Sequence, residues 1–327
     1  MTTSTLGKFW KNEYFQTAVT IILIVALVFG FWYGLRLALN TDTPALSVVS
    51  GSMLPTLNIG DLIIVQAVPP SQIYANYVNG DVVVFKSPST QELIVHRAVR
   101  SDNSSGVYIF HTHGDNNPPG SEEQWDESRL VGKVIARIPY AGNIALLMHT
   151  EEYVYLIIFV IIILTIVIVI LPATDKEKNN TSEREPAKEK RKIFGKLSID
   201  TIYLIIINLL VISFIAFNIW GAFTFWQPGA IPPQNVTVHG MYPDLQFHES
   251  YQVQHNVSSS SLSSGLLTYR VDSMLNDGSH IGIRLGIQTL SFAQIAIILL
   301  ALFDVWKLVE FMRLRSAQTQ RVDSKLS

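Results

Sequence analysis

The sequence predicts a membrane α+β protein. An all-β domain is held outside the bilayer between two transmembrane helices, and two further transmembrane helices enclose a small β-rich external insert. Three observations lead there. Of the 327 residues, 48% are hydrophobic and only 15% charged, and the apolar residues gather into long runs instead of spreading at helical or strand spacing. Between the first two runs, residues 40–150 alternate short β-branched segments with Gly, Pro, Asn and Asp clusters, the pattern of strands and turns. Lysine and arginine concentrate in two short segments that flank apolar runs, which sets a direction across the membrane.

In chain order, residues 1–17 form an N-terminal segment and 18–39 a first span (the apolar run TAVTIILIVALVFGFWYGL covers residues 17–35). Further spans are expected at 151–172, 200–226 and 285–308, each near the ~20 residues that cross a bilayer as a helix. The first run is longer than the apolar part of a cleaved signal and lacks a small-residue cleavage site, so it is expected to remain as an anchor. The connector 173–199 carries Lys176, Lys178, Arg184, Lys188, Lys190, Arg191, Lys192 and Lys196. The tail 309–327 continues the basic run that starts at Lys307 with Arg313, Arg315, Arg321 and Lys325. Both segments are therefore expected in the cytoplasm, with residues 40–150 and 227–284 outside. Trp10, Trp32, Trp220, Trp226 and Trp306 fall near span ends, where an amphipathic ring keeps its polar edge in the headgroups.

Composition also excludes function classes. A net charge of -2 offers no concentrated cationic surface, so nucleic acid is not an expected partner. The absence of cysteine removes thiolate catalysis and cysteine-ligated metals. His111 and His113 would share one face of a strand, but they lack carboxylate company for a metal, and no phosphate-binding loop is present. No cofactor is expected.

Within the external domain, LSVVSG, DLIIVQAV, DVVVFKS, ELIVHRAV, GVYIFHTHG and LVGKVIARI read as strands. The Gly-Asp pairs at Gly60-Asp61, Gly80-Asp81 and Gly114-Asp115 each lie beside one, and the first two read as turns. The segment Ser50-Gly51-Ser52-Met53-Leu54-Pro55-Thr56 ends a strand abruptly and exposes a hydroxyl. A serine is a poor nucleophile without a neighbouring base, and taken alone it reads as an ordinary turn residue. His96 sits in the middle of the apolar strand LIVHRAV, where an imidazole costs burial energy unless partnered. Alone it reads as a core histidine. Between a hydroxyl motif and a carboxylate motif, it reads instead as a general base with a near-neutral intrinsic pKa. Lys86, in VVFKSP, is an internal rival for that role.

Together these segments resemble type I signal peptidases, and specifically their archaeal and endoplasmic reticulum branch. SGSMLPT is similar to the nucleophile box, GDLIIV to the strand after it, GDVVVFKSP and IVHRAV to the boxes leading to the base, and HGDNNP to the acidic box. The likeness spans residues 18 to 172. It implies that Ser52, the serine immediately before methionine, is the nucleophile. It also implies the Ser-His variety, because His96 stands where the bacterial branch has lysine. The acid departs from the pattern: Asp115 is present in GDNN, but the second acidic position is Ser121. Asp115 is the first choice of carboxylate to orient the imidazole and Asp126 the second, with Glu122 and Glu123 as further substitutes.

The resemblance implies a membrane-bound serine endopeptidase that removes N-terminal signal peptides through an acyl-enzyme. Its partners would be signal-peptide-bearing preproteins, the lipid bilayer and the protein-export channel. Backbone N–H groups around Ser52 and Met53, with the Ser50 hydroxyl, would bind the oxyanion and the substrate. The expected location is an archaeal plasma membrane with the catalytic domain outside and both termini cytoplasmic, or the endoplasmic reticulum membrane in a eukaryote. The other reading is a non-catalytic membrane receptor or assembly factor that retains a peptidase-like binding domain. The second half lies beyond the family core, and its role is not defined by sequence.

Overall fold

The computed structural model describes residues 13–103, 106–148, 161, 192–193, 197–251, 257–276, 278 and 280–326. The expected span 151–172, save Ile161, and most of the connector 173–199 lie outside the described residues.

Helix α1 (Glu13–Leu39) carries no internal charge until Arg36 in its last turn. Its apolar side chains from Ile22 to Tyr33 stand exposed, as a helix in contact with lipid requires. Arg36 pairs with Asp42 just beyond the helix end. The chain then enters β1 (Ala45–Ser47) and β2 (Leu62–Gln66), an antiparallel pair joined by a 48–61 loop. Two backbone bonds close the base of that loop, Val48 N to Asp61 O and Gly60 N to Val48 O, both 2.9 Å.

The remaining strands of the first half are β3 (Val82–Lys86), β4 (Leu93–Asp102), β5 (Ile109–His113), β6 (Glu123–Asp126) and β7 (Leu130–Ile138). The pairs β2–β7, β7–β3, β3–β4, β4–β5 and β5–β6 are all antiparallel. The run VVVF in β3 is continuous instead of alternating because both its faces are buried. Val82 and Val84 pack with Val48, Met53, Leu57, Ile63, Val65 and Val134. Val83 and Phe85 pack with Ile73, Ala98, Phe110 and Trp125 on the other side. A short helix, α2 (Asn143–Met148), follows β7.

A two-stranded ribbon, β8 (Lys192–Ile193) and β9 (Leu197–Ser198), precedes α3 (Ile199–Trp220). Helix α3 ends six residues before the expected limit of the third span at 226. At Gly221 a Cβ would lie 2.6 Å from the Phe217 carbonyl oxygen, and the chain turns into the hairpin β10 (Ala222–Gln227) and β11 (Gln234–His239). Helix α4 (Met241–Ser250), β12 (Val257–Ser264), β13 (Thr268–Asn276), β14 (Ile281–Arg284), β15 (Thr289–Leu290) and α5 (Phe292–Leu326) complete the chain.

The second half is not a separate insert. Strand β15 pairs in parallel with β7 at Thr289 and Arg137, and it pairs antiparallel with β13, so strands of both halves form one sheet of eleven strands. Ile59, Leu146, Ala230 and Val236 form a shared apolar cluster, and Ile231 N donates to Val49 O at 2.8 Å. Residues 285–291 serve this sheet and its approach, so the last helix begins at Phe292, later than expected. It continues through the polar tail to Leu326. It packs on α3, where Asn208 Nδ2 donates to Asp304 Oδ1 at 3.2 Å. Among the described residues, two helical segments, Ile22–Leu39 and Thr201–Trp220, are long and apolar enough to cross a bilayer.

Candidate active site

Ser52 lies half-buried in the 48–61 loop. Its neighbour Met53 is 1% exposed and belongs, with Leu57, to the core cluster. The loop is therefore pinned from beneath, and the Met53 side chain is an anchor and not a substrate contact. The backbone of Met53 is the part left for the expected oxyanion and substrate contacts. The Leu54 amide is taken by Gly51 O at 3.2 Å, while Ser50, half-buried, flanks the loop entrance.

The same loop is fastened to the segment that follows β5. Asn116 N donates to Ser52 O at 2.8 Å, and Asn116 Nδ2 donates to Gly51 O at 2.9 Å. A side chain at Gly114 would put its Cβ 2.7 Å from Ser52 O, so glycine there permits the close approach. Since β5 pairs with β4, the Ser52 loop is tied to the strand next to the one that bears His96.

Alternation along β4 sends His96 and Arg97 to opposite faces. Arg97 is 2% exposed and meets Asp115 through two bonds, Nε to Oδ1 at 2.9 Å and Nη2 to Oδ2 at 2.7 Å, while its Nη1 donates to Gly80 O at 2.7 Å. Asp115 also accepts from Thr56 Oγ1, and Arg284 Nη1 stands 3.5 Å away. Burial pushes the Asp115 carboxyl up, but the charges of Arg97 and Arg284 and the bonds from Arg97 and Thr56 outweigh it. Its pKa falls well below the usual carboxylate range. Asp115 is thus a fully ionised carboxylate engaged by arginine, not by the imidazole.

The carboxylate beside His96 is Glu123. His96 is opposite Val83 on β3 and faces Phe85, with ring centroids 6.3 Å apart. Its Nδ1 lies 3.4 Å from Glu123 Oε2. The two atoms are within ion-pair distance but make no hydrogen bond, and both are enclosed with no other partner among the described residues. Register explains the meeting. Ala98 is opposite Thr112 and Thr112 opposite Glu123, so these three and His96 share a face. Burial lowers the His96 pKa to about 4, with Asp115 pulling it up and His113 down. Burial also raises that of Glu123. The imidazole is therefore neutral at pH 7, the form a general base requires. Among the described residues the Ser52 hydroxyl makes no hydrogen bond, and such contacts are often loose until substrate binds.

Other expected residues lie elsewhere. Asp126 caps a 3-10 turn, accepting from Ser128 N at 3.0 Å, and pairs in register with Ile109 at the far end of β6 from Glu123. This corrects its placement in the site; it is a capping residue. Glu122 faces His111 at 3.8 Å. Lys86 is exposed and opposite Leu93, three strand positions beyond His96's partner Val83, or roughly 10 Å along the strand. Among the described residues no His, Asp and Glu cluster has metal-ligand geometry.

The family described as signal peptidase, peptidase S26, matches residues 12–103, a span that includes Ser52 and His96 but neither Asp115 nor Glu123. The chain is 30% identical over 154 residues to the signal peptidase complex catalytic subunit sec11 of Dictyostelium discoideum, which covers 42% of this chain and 79% of that protein. It is 31% identical over 145 residues to the SEC11 catalytic subunit of Lachancea thermotolerans, covering 41% and 83%. With the human subunit SEC11C it shares 29% identity over 152 residues, covering 44% and 77%.

Proposed function

The chain belongs to the signal peptidase family, peptidase S26, and on that premise we propose that Ser52 is the nucleophile, His96 its general base and Glu123 the carboxylate that orients His96. The protein is a serine endopeptidase that removes signal peptides. The observation that carries the residue assignment is the asymmetry of the His96 ring. Nδ1 is enclosed beside Glu123, and of the two ring nitrogens it alone is fully shut off. That leaves Nε2 for the Ser52 hydroxyl.

In the forward step Ser52 Oγ attacks the scissile carbonyl carbon while His96 Nε2 takes the hydroxyl proton. The tetrahedral oxyanion is held by backbone N–H groups of the Ser52 loop and by the Ser50 hydroxyl. Collapse breaks the peptide C–N bond, and His96 returns the proton to the leaving amine. Water then attacks the acyl-enzyme ester with His96 again as base, releasing the signal peptide's new carboxylate and restoring Ser52. Glu123 keeps the proton on Nδ1 throughout. Asp115, held by Arg97, fastens the Ser52 loop instead of taking part in proton transfer.

The bilayer, secretory preproteins and the export channel are the partners of this reading, in an arrangement of four spans with both termini in the cytoplasm. The apolar segments Ile22–Leu39 and Thr201–Trp220 support it. Cleavage of a signal-peptide-bearing precursor by the purified protein, compared with Ser52→Ala and His96→Ala, tests the mechanism. Loss in both is expected. Equal cleavage by Ser52→Ala would leave only the non-catalytic binding role.

A further inference from the structure

Thr56, four residues after Ser52, is held at both ends by buried charge, and each charge cluster includes a residue of the C-terminal half. At its hydroxyl, Thr56 donates to Asp115, which is shared between Arg97 and Arg284. Arg284 lies on β14. It also donates through Nε to Val78 O at 3.3 Å and through Nη2 to Tyr77 O at 3.4 Å, so its guanidinium reaches across from the second half with a fixed orientation. At its carbonyl, Thr56 accepts from Arg137 Nη1 at 3.5 Å. Arg137, 3% exposed, also meets Asp61 at 3.0 Å and Thr289 Oγ1 at 2.6 Å, and it pairs with Asp244 of α4. Asp244 in turn accepts from Asn58 Nδ2 at 3.3 Å and Tyr269 OH at 3.3 Å. Residues of the second half therefore reach Asp115 and Arg137, which hold Thr56, and also Asn58 of the same loop.

We infer that the C-terminal half is a positioning unit of the active site, in which Arg284, acting through Asp115, and Asp244, acting through Arg137, hold the loop that carries Ser52. The inference rests on Ser52 being the nucleophile. Its physical basis is that ionic contacts in a buried setting are strong and directional, so the two clusters add to the hold that Met53 and Asn116 have on the loop. Neither Arg284 nor Asp244 touches the reacting atoms. Both are positioning residues, and their loss should slow the chemical step while leaving precursor binding intact.

The test uses the full-length protein in lipid vesicles with a signal-peptide-bearing precursor. Arg284→Met, Arg284→Lys and Ser52→Ala are compared by kcat, KM and thermal midpoint. Arg284→Met should lower kcat about tenfold, the scale of one ionic hydrogen bond, with KM and midpoint close to those of the parent. Arg284→Lys, which keeps a cation beside Asp115, should recover most of the loss. Parent-like kcat in Arg284→Met, or a loss that simply tracks the fraction unfolded, overturns the inference. Should Arg284→Met not fold, Arg284→Gln replaces it. Reduced kcat in the folded Gln variant supports the role, and unchanged kcat overturns it. An active Ser52→Ala would instead remove the premise, so the two failures are told apart.

Discussion

His96 Nδ1 and Glu123 Oε2 lie 3.4 Å apart, and neither atom has another partner among the described residues. A buried acceptor and a buried ring nitrogen left to each other in this way tie the orientation of the base to residue 123. Glu123→Ala should reduce kcat by about 10²-fold, the usual scale of acid–base support, measured on precursor cleavage. Asp126→Ala, which removes only an exposed cap, should leave cleavage within about twofold of the parent.

Burial sets the pH response. The His96 pKa is lowered from 6.5 to about 4, so the neutral imidazole persists well below the pH at which a free histidine becomes charged. The acid limb of kcat/KM should therefore fall near pH 4 to 5 and not near 6.5, read from a pH profile of precursor cleavage. The linkage has the same sign. The unfolded chain binds this proton near 6.5 and the folded chain only near 4, so stability from this group is present above 6.5 and is lost as pH falls through that window.

Arg97 and Asp115 are each 2% exposed at the side chain and joined by two hydrogen bonds. Replacing one partner strands a buried charge, at a cost of about 3–5 kcal/mol. Arg97→Ala should lower the denaturation midpoint accordingly and weaken cleavage by freeing the Ser52 loop. Conversely, a parent-like midpoint would mean that the pair does not hold the loop.

Met53 is a core residue. Met53→Ala should cost about 2–5 kcal/mol of stability through the cavity it leaves, and should reduce kcat more than it raises KM. A pure KM effect would mean that its side chain meets substrate.

Lys86 is exposed on β3. Lys86→Ala should keep full cleavage while His96→Ala abolishes it, and the opposite pattern would reassign the base.

The family and its reaction were legible because SGSMLPT, IVHRAV and HGDNNP are short, local and rich in chemistry, and β3 announced its two-sided burial through an unbroken VVVF run. The partner of His96 was harder to read. Glu123 sits among three acids within five residues, and only the β4–β5–β6 register decides which of them shares a face with the imidazole. Asp115 stands in the expected motif, but its partner is Arg97, the strand neighbour of His96, and nothing local to HGDNNP marks a pairing 18 residues away. The union of the two halves was least visible. It depends on a two-residue strand, Thr289–Leu290, too short to leave a periodic signal. It also depends on Arg284 and Asp244, which read in sequence as ordinary solvated charges. The early end of α3 was marked by Gly221, hidden within an otherwise apolar run.

The pairing of Thr289 with Arg137 joins positions 152 residues apart. During synthesis the edge of β7 that receives Thr289 must wait until residue 289 has been made, because domains form from the N-terminus onward. A nucleophile loop braced by residues so far along the chain takes its working geometry only after they have emerged, and a chain interrupted before Thr289 carries Ser52 and His96 without the brace.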